Sequence, residues 1–581
     1  MRKSWITMVG ILCLVALFAE DKIYIHKTAG SLLGYKVSEI DSIKFLNNNT
    51  ELTVYKTDKT SIGMFVSVVD SIKFASETAV AYTAPAYADD YAAISSYANR
   101  GSWNLANVHD PTIVKCGTYY YMYGTDASYG NALVGYGHYP YKRSRDLVNW
   151  TYMGSAKSQT PPTWVKDSLN AKRARMGLAA IASPSYGYWA PCVRKVGNRY
   201  RMYYSIIIDN FIGNGLVNNA TNFDNTWTER AFIGVMESTD LAVNSGWVDK
   251  GYVISSISDK TSYARTSYTG DWSAYFKWNA IDPTYVVTPE GTHWLIYGSW
   301  HCGIPAVQVD SVTGKPLKLS ALADYGTQIA RRVVSSTNRW QAQEGPEMIY
   351  NPKTGYYYLF LAYDELSVNY NTRVCRSKTI AGPFLGFDGT NISTGGECFP
   401  ILTHPYKFNN HSGWVGISHC SIFQNPDTGD WYYASQGRLP ANTNGNAYSN
   451  AIMMGHIRSI QWTATGWPVV MPERYGAVPQ TIISDNDLVG TWENITLNYA
   501  AGVQQTSVTE TLLANYTATG ALAGTWSYNA TTKTLTIFTS TGTVKLNVQR
   551  ELNWEASPRV PTIVYAGLNS TGRSLWGKKV N

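Results

Sequence analysis

Charge is scarce in this chain. Asp, Glu, Lys and Arg together make up 15% of 581 residues, and the formal charge of +7 is spread without a basic block. That argues against a nucleic-acid partner. Charged and Ala/Leu-rich stretches of helical period are largely missing, which argues against a mainly helical fold. The cysteines show no C-x-x-C spacing, so zinc is not expected. Buried free thiols are expected instead at Cys116, Cys192, Cys302, Cys375, Cys398 and Cys420. Beyond residues 5–18 no apolar run is long enough to span a bilayer. No H-E-x-x-H occurs and no G-x-S-x-G elbow precedes a helix, which leaves zinc-protease and serine-hydrolase chemistry unsupported.

Aromatic residues are abundant: 13% of the chain, with 43 Tyr and 20 Trp. Many fall in a pattern that recurs five times. Each copy has a polar or acidic residue, usually a Pro, a short apolar run, a glycine turn and an aromatic-rich run. The copies begin at Asp110-Pro111, Ala190-Pro191, Asp282-Pro283, Gly345-Pro346 and His419-Cys420, and turn at Gly117, Gly197, Gly291, Gly355 and Gly429. Two runs joined by a glycine turn predict a β-hairpin, and five spaced copies predict five structural repeats. A β-propeller points its innermost strands at a central channel. Equivalent first residues would then converge, bringing Asp110, Asp282, Glu344 (just before Gly345) and His419 into one cavity. A single Asp-Pro is more simply a strand start; a shared register across repeats favours convergence.

The chain is therefore expected to be all-β: a five-bladed propeller flanked by a small N-terminal β repeat module and a C-terminal β-sandwich or barrel. Residues 1–19 read as a signal peptide, with Arg2 and Lys3, an apolar stretch and Ala19. Lipidation at Cys13 is not favoured. Residues 20–78 hold two repeats offset by 29, each ending in Asp-Ser-Ile-Lys-Phe, and each expected to be a half-buried strand pair. Residues 79–99 read as a linker, 100–480 as the propeller and 481–581 as the last β domain. Insertions at 159–188 and 209–228 are expected to be loops shaping a cleft. A monomer is expected.

Glycoside hydrolysis commonly uses two carboxyl groups, an acid for the leaving oxygen and a base or nucleophile opposite. A third carboxylate raises the acid's pKa by repulsion. Three converging acids in an aromatic cleft suit that chemistry.

The residues carrying these signals resemble glycoside hydrolase family 43, within it the endo-α-1,5-L-arabinanases. They are His109-Asp110-Pro111, Ser144-Arg145-Asp146-Leu147-Val148-Asn149-Trp150, Tyr188-Trp189-Ala190-Pro191, Asn279-Ala280-Ile281-Asp282-Pro283, Tyr297-Gly298-Ser299, Glu344-Gly345-Pro346, Asn369-Tyr370-Asn371-Thr372-Arg373-Val374, His419 and Gly466-Trp467-Pro468. The last domain is similar to one found behind such arabinanases, with Gly-Thr-Trp and a terminal Trp576-Gly-Lys-Lys. The resemblance implies inversion, with Asp110 as general base, Glu344 as general acid and Asp282 tuning that acid. Glu347 competes for the acid role from the opposite strand face. The resemblance also implies a calcium ion held by His419 and waters. Trp189 and Trp300 are candidates for walling or stacking on a furanose, and Asn279, Ser299 and Arg438 for hydrogen-bonding it.

The chain departs from the family pattern at Cys192, at His301-Cys302, around Ser418-His419-Cys420 and at Gln436, all bordering the cleft. The function expected is a secreted, cell-surface or periplasmic inverting glycoside hydrolase cleaving internal α-1,5-L-arabinofuranosidic links of arabinan. An exo-acting arabinofuranosidase or β-xylosidase on the same scaffold is the sibling reading. A glycan-binding propeller without catalysis is the reading from another class, and three intact acids argue against it.

Overall fold

The computed structural model describes residues 20–77, 81–87, 97–125, 137–175, 177–208, 231–243, 246–259, 277–332, 342–408 and 411–580. The expected signal peptide, Cys13 and the insertion at 209–228 lie outside them. Five four-stranded antiparallel sheets follow one another along the chain. Their first strands are Thr112–Cys116, Tyr186–Val196, Thr284–Val287, Gln343–Asn351 and Ser421–Gln424. Each first strand touches the next, and the fifth touches the first, so the five close into a ring.

Each hairpin repeat became the inner half of one sheet. Its aromatic run is the second strand, as in Tyr119–Tyr123, Tyr356–Tyr363 and Trp431–Gly437. These strands are buried on both faces: Tyr358, Leu359, Phe360 and Leu361 are all fully enclosed. Burial on both faces explains why they read as continuous apolar runs rather than as an alternation.

The first residue of every repeat shares one unusual backbone state. Asp110, Ala190, Asp282, Gly345 and His419 have φ of +46°, +38°, +52°, +55° and +53°. Left-handed backbone costs a non-glycine residue about 1–2 kcal/mol. Adopting it at all five equivalent positions turns the chain sharply where it enters the ring. In two sheets the pairing register also slips there, between Trp189 and Cys192 and between Glu344 and Glu347. Such a bulge re-aims a side chain.

Glu347 is the hub of the ring. Its carboxylate accepts from Arg194 of the second sheet (2.5 and 2.6 Å), Thr284 Oγ1 of the third (2.8 Å) and Ile422 N of the fifth (3.0 Å). A buried carboxylate fully paired in this way is structural.

The insertion at 159–188 is not all loop. Thr163–Arg175 is an α-helix that begins just after Pro161-Pro162 and buries Val165, Leu169 and Arg173 at four-residue spacing. The two N-terminal repeats are likewise not strand pairs. Each has three strands, and the third is exchanged: Val69–Glu77 of the second unit joins Glu20–Lys27 of the first, and Ile40–Leu46 joins Glu51–Lys56. Identical Asp-Ser-Ile-Lys-Phe strands fit either partner, so the sequence leaves this exchange open.

The C-terminal region is a barrel rather than a sandwich. Eight antiparallel strands from Gly490–Leu497 to Ser574–Lys579 close when those two pair. Trp492, Trp526, Leu535, Ile537 and Tyr565 fill it. The stretch read as linker is tied down at 81–87, where Tyr82 and Tyr87 pack on Trp554 and Arg559 bonds the Pro85 and Tyr87 carbonyls. Cys192, Cys375, Cys398 and Cys420 are buried free thiols, whereas Cys116, also free, is only half-buried.

Candidate active site

One cavity of about 380 Å³ opens where the first residues of the repeats converge. Asp110, Asp282, Glu344 and His419 line it, joined by Trp189, Asn279 and Trp300. Ile207, Ile281 and Leu366 supply apolar wall. Trp189 is 37% exposed and stands at the register slip in the second sheet.

Two expected contacts are not on the lining. Ser299 is fully buried; its carbonyl accepts from Asn279 Nδ2 (3.0 Å) and its Oγ from Cys302 N (3.1 Å). It orients Asn279, which also accepts from Ser256 Oγ at 2.9 Å. Arg438 donates to the Asn450 carbonyl and reaches Asp110 and Glu365 only electrostatically. Sequence reading assigned no role to His109, Tyr370, Glu365 or His301, which also line the cavity. His109 and Tyr370 stand inside motifs already singled out, so proximity to Asp110 and Glu344 was the available signal.

The three acids sit in three different environments. Burial alone would raise the Asp110 carboxyl, but His109, His419 and Thr125 outweigh it and hold it well below the usual range. The contacts are His419 Nδ1 at 2.9 Å, His109 Nε2 at 3.2 Å and Thr125 Oγ1 at 2.5 Å. Burial pushes Glu344 up to about 8, with repulsion from Asp282 adding to it and the Tyr370 hydroxyl, 2.7 Å away, opposing it. Asp282 is pushed up to about 6 by burial and by Asp110, against His419. Its Oδ2 accepts Gly345 N at 3.0 Å, which fixes the backbone beside Glu344. Burial would depress His419, yet the carboxylates of Asp110, Asp282 and Glu344 hold it at about 10. His109 falls to about 4, chiefly through burial. At neutral pH the cavity thus presents the Asp110 carboxylate paired with an imidazolium, a largely ionised Asp282 and a protonated Glu344 carboxyl.

Gly345 has a packing reason to be glycine besides its φ. A Cβ there would stand 3.1 Å from the His419 ring. The protein donors around His419 do not by themselves make a calcium cage. Calcium takes six to eight oxygens, His419 Nδ1 is engaged by Asp110, and no cluster of three or more His, Cys, Asp or Glu among the described residues could hold a metal.

Residues 105–468 match the family described as glycosyl hydrolases family 43, and residues 472–577 match its C-terminal lipocalin-like domain. The chain belongs to glycosyl hydrolases family 43. It is 27% identical over 515 residues to the extracellular endo-α-(1→5)-L-arabinanase of Thermotoga petrophila, covering 82% of this chain and 95% of that one. It is 25% identical to the extracellular endo-α-(1→5)-L-arabinanase 2 of Bacillus subtilis, covering 84% and 95%. An extracellular exo-α-(1→5)-L-arabinofuranosidase of Cellvibrio japonicus is 26% identical, covering 63% and 86%. The crystal structure of the Thermotoga petrophila endo-1,5-α-L-arabinanase superposes with a TM-score of 0.61 at 24% identity, covering 82% of this chain and 99% of that one. That likeness speaks for the fold. A family 43 chain is a glycoside hydrolase, and the cavity holds carboxyl groups in the two protonation states such chemistry needs. No helix among the described residues is long and apolar enough to cross a membrane.

Proposed function

We propose that this family 43 chain is a secreted, inverting endo-arabinanase cleaving internal α-1,5-L-arabinofuranosidic bonds, and that its five sheets are the blades of one propeller. The closed ring of first strands supports the propeller, and the two endo-acting relatives support the substrate. The observation that carries the mechanism is the meeting of Asp110, Asp282 and Glu344 in one cavity, with His419 and Thr125 bonded to Asp110 and Tyr370 to Glu344.

In this reading Asp110 takes a proton from water, whose oxygen bonds to the anomeric carbon. As the glycosidic C–O bond breaks, Glu344 delivers its proton to the leaving oxygen. His419 and Thr125 keep Asp110 ionised and oriented, while Tyr370 holds Glu344. Asp282 keeps the acid protonated through repulsion and positions it through Gly345 N. Inversion asks for carboxyls about 6.5–9.5 Å apart with water between them. Trp189 and Trp300 wall the sugar and Asn279 hydrogen-bonds it; Ser299 acts through Asn279.

A calcium ion at His419 is a separate proposal: it would require a neutral His419, with Nε2 as the ligand because Nδ1 faces Asp110, and water would supply most other ligands; no step above runs through it. The exo-acting relative supports the sibling reading. Chromatography of an early digest of linear α-1,5-arabinan separates the two: mixed oligosaccharides from the first minutes are expected, and arabinose alone would contradict endo action.

A further inference from the structure

The barrel reaches back to the active site. Between its strand Gly490–Leu497 and the short strand Gln505–Thr506, loop 498–504 crosses onto the family 43 region. Its base is anchored: Gln505–Thr506 pairs in parallel with Tyr406–Lys407, and Gln504 Nε2 donates to the Tyr406 and Ser412 carbonyls. Ala500 N donates to His404 Nε2 at 3.3 Å.

From that base the loop holds both ends of a single segment, residues 364–370. At one end Tyr499 faces the Asp364 carboxylate and Arg332, and the Arg373 guanidinium lies 4.8 Å from its ring. At the other end Gly502 N donates to Asn369 Oδ1 at 2.5 Å. Arg373 Nε in turn bonds Asn371 Oδ1 at 2.9 Å, just past Tyr370. The clasped segment gives the cavity Glu365, Leu366 and Tyr370, and Tyr370 bonds Glu344.

We propose that loop 498–504 is a positioning clamp: the barrel fixes the 364–370 wall, and through Tyr370 the Glu344 proton donor. The barrel is then part of the catalytic apparatus rather than an appended binding module. This rests on the reading of Glu344 as the acid. Asn369, Tyr499 and Gly502 are positioning residues, because none of them touches the reacting atoms. A misplacement of about 1 Å at a reacting group can cost about a hundredfold in rate, so loosening one remote tether should cost about tenfold.

The test uses the full chain carrying Asn369→Ala with Tyr499→Leu, and two substrates sharing one arabino-oligosaccharide glycone. One has a sugar leaving group, which needs the acid's proton; the other has 2,4-dinitrophenolate, which departs without it. On the first, kcat should fall about tenfold with KM within about twofold. On the second, kcat should stay within about twofold. Asn369→Asp, which keeps the oxygen that accepts Gly502 N–H, should recover most of the loss. If the double variant does not fold, Asn369→Ala alone carries the comparison. Equal losses on both substrates, or none on either, overturn the clamp. Glu344→Gln is run alongside: if it too slows both substrates equally, the acid assignment fails and takes the clamp with it. If only the clamp variants lack leaving-group dependence, the acid stands and the clamp falls.

Discussion

Replacing Glu344 by Gln should cost activity and gain stability, by amounts set by the same buried proton. Burial, with Asp282 adding to it, lifts this carboxyl from 4.5 to about 8. One pKa unit is worth about 1.36 kcal/mol, so the shift has a ceiling of about 5 kcal/mol. The sign follows from proton counts. Between pH 4.5 and 8 the folded chain holds a proton that the unfolded chain has released, so stability falls as pH rises across that window. Its contribution is complete below 4.5 and gone above 8. Gln has the same shape and cannot ionise, so the variant lacks this decline. Its melting temperature should match the parent's near pH 4.5 and exceed it increasingly up to pH 8, by calorimetry in parallel buffers. Hydrolysis of arabinan should fall by about 10²–10⁴, the usual worth of a general acid. Parallel melting curves across the window, or a variant as active as the parent, would refute the assignment.

Thr125→Val removes the 2.5 Å hydrogen bond to Asp110, which helps hold that carboxyl down. A base works only when ionised, so the acidic limb of kcat/KM should move to higher pH; an unmoved limb counts against Asp110 as the base. Glu347→Gln strips the hub of the ring of its charge and leaves Arg194 unpaired, for a loss of about 3–5 kcal/mol in denaturant unfolding. Turnover per folded molecule should change little, and a loss as large as that of Glu344→Gln would return Glu347 to the acid role. Prolonged chelation should lower activity and restore it on adding calcium; activity and melting temperature both unchanged would remove the ion.

Much of the site was legible because the repeat register has a structural meaning. The five first residues of the hairpins share a left-handed turn, and Asp110, Asp282, Glu344 and His419 therefore meet. Glu344 and Glu347 are harder to separate, since both lie on one strand three residues apart. A bulge between them sends one into the cavity and the other to Arg194, and a bulge leaves no mark in composition. Asn279 and Ser299 are both expected to meet the sugar, yet only Asn279 lines the cavity and Ser299 supports it from behind. Tyr370 lay in a quoted motif without a role, because its bond to Glu344 joins positions 26 residues apart. The exchanged strands of the N-terminal module and the reach of loop 498–504 are contacts between distant segments. Local periodicity carries no information about either.

The most direct measurement is the anomeric form of the first reducing end released, followed by proton NMR before mutarotation. Water activated by Asp110 on the face opposite Glu344 should give the β-anomer from an α-linked chain. An α-anomer appearing first would mean a covalent intermediate and retention, and would contradict the division of roles between the two carboxyls.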